Sequence, residues 1–421
     1  MSKSVVYPII KIMLGAMNMN TVGIDVSKGK STVAILRPQG IVVASPYDVP
    51  HTGSSLKELA AAIKKLRGET RVVMEATGNY YEPIARYLHE QGIFVSVVNP
   101  MLISDFGGNT LRKPKTDKKD AVKLALYAQT YWLDLKQYEP QENLRKSLKM
   151  LNRQYVQADK VKTMLNNNLI SQLDLTFPGI NKLFASHERE SDGHLKWVDF
   201  VLEFPHRDSV AKLTPSAFKK KYQRWCEENG YYYRCSKAEE IHAFARETVS
   251  AVPDSDTIHV IIVQAATTLN AVRENAAALH CEMIRIAEML PEYDTVMNLY
   301  GVGNKTCPQL MAEIGDTRRF HSRRAITAYF GYDSENNDSG QHISKSNPIT
   351  KKGSSPLRRT LFTIMIALLQ NQPAENPVYQ FLDKKRSEGK HYYCYMTAAA
   401  NKFLRIYYAK VNEVLNAQPS S

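Results

Sequence analysis

An α/β domain at the N-terminus, a long helical region in the middle and a mostly helical C-terminal domain form the architecture that the sequence predicts. Three observations carry it. Between residues 21 and 98, short runs with strand periodicity give way to strands alternating with helical patterns. Two apolar series with four-three spacing, 144–169 and 258–290, mark long helices. After residue 293 come helical segments separated by turns. A chain of 421 residues is long enough for two or three domains, and an apolar share of 43% allows a sizeable core and argues against global disorder.

The α/β part, 21–140, reads as follows. TVGIDV (21–26) alternates, with Val22, Ile24 and Val26 on one face and Asp25 on the other. STVAILR (31–37) is a second strand, RPQG a turn, and GIVVAS (40–45) a third strand; such short connections imply an antiparallel meander. Ser54 or Ser55 caps a helix through about Leu66, with Leu56, Leu59, Ala60 and Ile63 on one side. RVVMEA (71–76) is a buried-type strand, 82–91 a helix, and GIFVSVVNP (92–100) a strand closed by Asn99 and Pro100. The order β-β-β-α-β-α-β predicts a mixed sheet with helices on its faces. It is the order of the ribonuclease-H-like (RuvC-like) nuclease fold.

In the middle region, 141–292, Leu144, Leu148, Leu151, Tyr155, Ala158, Leu165 and Leu169 form one series. Ile258, Ile262, Ala265, Leu269, Val272, Ala276, Leu279, Met283, Ile286 and Leu290 form a second, with heptad spacing that predicts a coiled coil. Pairing within one chain as a hairpin and pairing between chains both remain open. Residues 177–255, with Trp197, Trp225 and Tyr231 to Tyr233, read as a small helical insert. In the C-terminal domain, 293–415, residues 297–316 read as helix, G-V-G turn, helix, with an apolar helix at 361–369 and a last helix at 392–415. Residues 1–20 read as an extension. Pro8 and Lys11 interrupt it, it is short of the roughly 20 residues of a membrane span, and Met17 or Met19 is an alternative start.

The formal charge of +13 favours a polyanionic partner, nucleic acid first and an anionic membrane surface second. Cys226, Cys235, Cys281, Cys307 and Cys394 are odd in number and contain no C-x-x-C pair. That excludes a zinc ribbon and a disulfide framework as readings and points to a reducing cytoplasm.

KTDKKDA (115–121) sets two carboxylates three residues apart among lysines. Asp117 and Asp120 share a helix face. Thr116 as the cap and a macrodipole that favours Asp117 are a sufficient structural account. With Asp25 on the first strand and Glu75 ending the fourth, however, the fold would bring four carboxylates to one sheet edge. Oxygen donors suit Mg²⁺, and two such ions can bind the attacking and leaving oxygens of a phosphodiester. Arg112, Lys115, Lys118 and Lys119 would then hold the phosphate backbone nearby.

A second basic region runs from Arg318 to Arg359. It holds Arg318, Arg319, Arg323, Arg324, Lys345, Lys351, Lys352, Arg358 and Arg359 against Asp333, Glu335 and Asp338, nine minus three, a net of +6. Ser339 lies in an Asn-Asp-Ser-Gly turn, where most serines are turn residues. Only His342 or Asp338 offers a local base. The turn at Gly301 and Gly303, with Lys305 after it, resembles a helix-hairpin-helix that presents backbone amides to phosphate. A tight turn between packed helices fits it equally well.

Taken in order, the motifs resemble those of the DEDD transposases of the bacterial IS110 insertion sequences. GIDVSK (23–28), MEATGNYYEPIA (74–85), VVNP (97–100) and KTDKKDA match that family's RuvC-like domain. LYGVGNKT, EIGDTRRF (313–320), AYFGYDS and DSGQHISK…KKG…LRRTLF match its C-terminal transposase domain. The resemblance covers about 21–175 and 256–410. It implies that Asp25, Glu75, Asp117 and Asp120 are the metal-binding tetrad and that Ser339 is the nucleophile. It further implies two Mg²⁺ ions, double-stranded donor and target DNA, a structured guide RNA, and a dimer or tetramer joined through the coiled coil, with a composite active site. One departure is Asp333 or Ser334 where a proline is common in the family. Two rival readings remain: a hydrolytic junction-resolving endonuclease in which water attacks, and a non-catalytic nucleic-acid scaffold.

Overall fold

The computed structural model describes residues 19–106, 116–140, 142–184, 187–333 and 349–417. The chain divides into two compact units after Gln141.

The first unit is built on five strands: β1 (Met19–Val26), β2 (Lys30–Arg37), β3 (Ile41–Pro50), β4 (Glu69–Glu75) and β5 (Phe94–Val98). The spatial order is β3-β2-β1-β4-β5. The first three strands pair antiparallel, while β4 runs parallel to β1 and β5 parallel to β4. The mixed sheet and its order are those expected for a ribonuclease-H-like domain. Val22, Ile24 and Val26 do share one face, where they join Val72, Met74 and Val95. Helices α1 (Gly53–Lys64) and α2 (Tyr81–Glu90) cover that face with Leu56, Leu59, Ile63, Ile84 and Leu88. The cap of α1 is Thr52 rather than Ser54 or Ser55; its hydroxyl accepts from the Ser55 amide at 3.3 Å. The chain is still extended at Pro50, so the helix starts as soon as the strand ends. Asn99 and Pro100 close β5 by opening the short helix α3 (Pro100–Phe106), where the Asn99 side chain accepts from the Met101 amide. The opposite face of the sheet carries α4 (Asp117–Thr130), packed through Leu124, Tyr127 and Ala128 on Val73 and Val98.

The second unit is helical among its described residues. Two long helices, α5 (Asn143–Thr176) and α10 (Asp256–Glu288), pair within the chain. Leu148 and Tyr155 of α5 share a core with Ala276, Met283 and Ile286 of α10. Leu169 and Leu173 share another with Ile262 and Leu269. The helices are therefore antiparallel. The buried stripe of α10 differs from the heptad series. Val272 and Leu279 are only half-buried, whereas Asn270 and Arg273 are buried. Asn270 donates to Asp199 (2.7 Å), and Arg273 meets Glu188 (3.1 Å) and Asn166 (3.2 Å). Those partners lie on the insert and on α5, so a polar layer crosses the seam where an apolar one is expected.

The insert comprises α6 (Lys196–Glu203), α7 (Asp208–Ala211), α8 (Pro215–Glu228) and α9 (Cys235–Glu247). Its core is aromatic: Phe200 and Phe204 stack at 4.6 Å, and Tyr222 stacks on Trp225 at 5.6 Å. The C-terminal region adds α11 (Tyr293–Met297), α12 (Thr306–Ile314), α13 (Arg323–Tyr329), α14 (Ser355–Asn371), α15 (Pro377–Ser387) and α16 (Tyr392–Ala417). These pack on the Leu148–Met283 end of the hairpin. Gly301, at φ +81°, lies so close to α14 that an added Cβ would meet Ile364 at 3.1 Å. This is the packed-turn geometry; Gly303, Asn304 and Lys305 remain exposed at the start of α12.

One buried carboxylate ties three elements of this unit together. Glu313, 2% exposed, accepts from Asn152 (2.8 Å), Arg153 (2.9 Å) and the Ser354 hydroxyl (2.5 Å). Glu313→Ala strands a buried amide and the capping serine of α14. A loss of about 3 kcal/mol follows, by analogy with a broken buried pair. Urea unfolding followed by circular dichroism measures it; a change below about 1 kcal/mol would show that the network is not structural.

Candidate active site

The placement of the acids begins with a missing side chain. An added Cβ on Gly23 would lie 2.0 Å from the Ala121 carbonyl oxygen and 2.5 Å from the Ala125 amide nitrogen. Only glycine lets the backbone of α4 touch β1 at this point. Asp25 is two residues further along the strand and so faces the same side. Register places Ile24 opposite Met74, so Asp25 and Glu75 stand side by side at the carboxyl ends of parallel strands. Val73 packs against α4, and Glu75, two residues on, shares its face.

The direction of α4 is set at both ends. Gln129, near its C-terminus, donates to the Arg37 carbonyl at the end of β2. Near its N-terminus, Lys30 feels the charge of Asp117, and Asp48 that of Lys118. The helix thus begins over the edge that carries Asp25. Thr116 is its cap, accepting from the Lys119 amide at 3.4 Å. Asp117 and Asp120 occupy the first turn, with Asp120 half-buried like Asp25 and Glu75, and Asp117 exposed. Lys118 and Lys119 are exposed.

All four donors are carboxylates, an all-oxygen set that suits a hard divalent cation. No three of them come within 4.8 Å of one another. Among the described residues the one group that does is His206, Asp208 and Asp254, in the insert. That group is already satisfied. The His206 ring contacts the Val252 carbonyl and accepts from the Asp208 amide. Lys212 bridges both carboxylates, Arg207 pairs with Asp208 and His259 with Asp254. It is an ion-pair clasp within the insert.

A further pair, which no sequence motif marks, lies along the same edge. Thr32 stands opposite Asp25 on β2 and donates to Asp48 on β3 at 2.8 Å. Lys30 pairs with the same carboxylate at 2.7 Å. Hydrogen bonds from Lys30 and Thr32 hold the Asp48 carboxyl below its usual range, and the same Asp48 contact raises Lys30. A row of Glu75, Asp25, Thr32 and Asp48 therefore crosses four strands. Alternation within β3 was the available signal.

The basic residues of the second unit divide by use. Arg318 pairs with Asp316 at 2.7 Å. The Arg319 guanidinium lies 4.6 Å from the Phe320 ring centre and 4.4 Å from that of Tyr329. Burial alone would raise the Tyr329 hydroxyl, but Arg319 and Lys149 bring it below its ordinary value. Arg358 donates to the Phe330 and Gly353 carbonyls, and Arg359 pairs with Asp159. Arg323, Arg324, Lys351 and Lys352 are exposed. Arg112, Lys115, Lys345 and Ser339 lie outside the described residues.

Two family models match the chain. The DEDD_Tnp_IS110 transposase model matches residues 22–178, and the model described as Transposase IS116/IS110/IS902 family matches 293–380. The insertion element IS110 uncharacterized 43.6 kDa protein of Streptomyces coelicolor is 24% identical over 167 residues, 40% of each chain. The match thus spans well under two thirds of that relative. The pilin gene-inverting protein of Moraxella bovis is 21% identical over 342 residues, 81% of this chain and 80% of that one. T. thermophilus RuvC in complex with Holliday junction substrate aligns at 13% identity and a TM-score of 0.21, covering 28% of this chain and 96% of that one. At that score the alignment carries no weight, and the fold rests on the strand order.

Proposed function

Because this chain belongs to the IS110/IS116/IS902 family of transposases, we propose that it is a site-specific DNA recombinase that cuts and rejoins strands through Ser339. The observation that carries the reading is the meeting of Asp25, Glu75 and the first turn of α4 at one sheet edge. The Moraxella bovis relative is named for gene inversion, a reaction of the same kind.

In this reading Asp25, Glu75, Asp117 and Asp120 hold Mg²⁺, two ions in the full complex. When bound, the metal supplies charge stabilisation at the phosphodiester oxygens. Lys118 and Lys119 neutralise adjacent phosphates. The Ser339 hydroxyl loses its proton, its Oγ bonds to phosphorus, and the deoxyribose oxygen that leaves takes up a proton. Attack by the freed hydroxyl of another strand releases the serine, so the number of phosphodiester bonds is conserved. Donor and target are double-stranded DNA, and a structured guide RNA selects them. Copies of the chain associate through a coiled coil; Met150, Met164, Val260 and Ile261, apolar and exposed on α5 and α10, support that part. No helix among the described residues is long and apolar enough to cross a membrane.

The test is covalent trapping. Protein expressed with its native flanking DNA is incubated with Mg²⁺ and junction DNA, then denatured. A protein–DNA adduct is expected, absent in Ser339→Ala. Cleavage without an adduct, unchanged in the variant, would leave a hydrolytic endonuclease in which water attacks.

A further inference from the structure

Away from the acidic edge, the C-terminal region carries a groove of about 620 Å³ between α13, α15 and α16. Arg323, Lys402, Arg405 and Lys410 line it, and its lining contains no carboxylate. Among the described residues none of the four has an ion-pair partner. This sets them apart from Arg318, Arg359 and Lys385, each spent on a neighbouring acid. Four unpaired cations facing one concavity repel one another, and the arrangement costs stability unless an anion fills it.

The groove floor is apolar. Phe381 and Ile406 contribute the bulk, and Ala398 and Ala409 keep it deep. Lys402 lies 5.0 Å from the Phe381 ring centre, so one cation is held over an aromatic surface. From Lys402 to Lys410 the charges extend about 12 Å along α16, a length that serves two or three successive phosphates of an extended strand. A duplex would present only phosphates and sugars to such a floor. An unpaired strand presents base faces as well, and cations interleaved with apolar and aromatic surface are the usual means of holding one.

We infer that this groove binds single-stranded DNA, holding a strand that cleavage has separated from its duplex. The inference rests on the reading of the chain as a strand-exchanging enzyme, but it concerns a surface that contains none of the acids. Binding can therefore be measured whether or not cleavage is observed.

The experiment uses the full chain and a fluorescein-labelled dT12, with anisotropy read across a salt series. Lys402→Gln, Arg405→Gln and Lys410→Gln are combined in one variant. Lys182→Gln, Lys220→Gln and Arg246→Gln, exposed positions on the insert, form a charge-matched control. The groove variant is expected to bind about tenfold or more weakly, with its log-log salt slope reduced by about 2 for three lost phosphate contacts. The control is expected to bind dT12 as the parent does. Equal losses in the groove variant and the control would overturn the proposal, as would an unchanged slope. A 12-base-pair duplex or rU12 that depends more strongly than dT12 on the three groove residues would overturn the assignment to single-stranded DNA. Circular dichroism confirms that each variant is folded.

Discussion

Asp25→Asn is expected to lower metal-dependent strand cleavage by about a thousandfold or more, equivalent to about 4 kcal/mol of barrier, while leaving duplex DNA affinity within about twofold. The substitution is nearly isosteric, so β1 keeps its pairing with Thr32 and Met74 as neighbours. What disappears is one negative charge beside Glu75. Circular dichroism checks that the variant keeps the parent's fold. Titration calorimetry with Mg²⁺ separates the readings, because weakened metal binding at unchanged DNA affinity is the signature of a ligand. If Asp25→Asn cleaves as fast as the parent, Asp25 is a strand residue that happens to be acidic. The edge would then have to be read around Asp117 and Asp120 alone.

Gly23→Ala is expected to have the second largest effect, although the residue carries no chemistry. Its Cβ would lie within 2.5 Å of two backbone atoms of α4, which cannot move as a flexible side chain can. The helix must lift from β1, and Asp117 and Asp120 lift with it. Overpacking of this kind costs about 3 kcal/mol, and a displacement of about 1 Å at a reacting centre costs about a hundredfold in rate. The measurement is paired: thermal unfolding together with cleavage. Loss of activity with the first unit still folded places the cause in helix position. Parent-like stability and activity would show that α4 does not rest on Gly23 and would remove the physical account of why its first turn reaches Asp25.

Much of the first unit was legible in the sequence because its elements are local. Strand period two separates Asp25 from Val22, Ile24 and Val26 whatever the neighbours are. Short connections force the first three strands into a meander, and a longer crossover brings the fourth parallel to the first. Thr116 and Asp117 announce a helix start within four residues. The second unit was less legible. Heptad spacing identified two long helices but not which of their faces would be buried. That depended on partners far away in sequence, Asp199 for Asn270 and Glu188 for Arg273. Nor does a run of arginines reveal which of them the fold consumes. Arg318 is taken by Asp316 and Arg359 by Asp159, while Arg323 is left facing the groove.

The sequence by itself determined the order of elements in the first unit and the family, and it singled out four acids as candidates, because periodicity, caps and motifs are properties of neighbouring residues. Only the tertiary structure decided how those acids are brought to one edge, which cations remain unspent, and that Asp48 and Thr32 extend the row. Each of those outcomes depends on the contact of backbones and charges tens or hundreds of residues apart, and Gly23 against Ala121 is the contact on which the acidic edge rests.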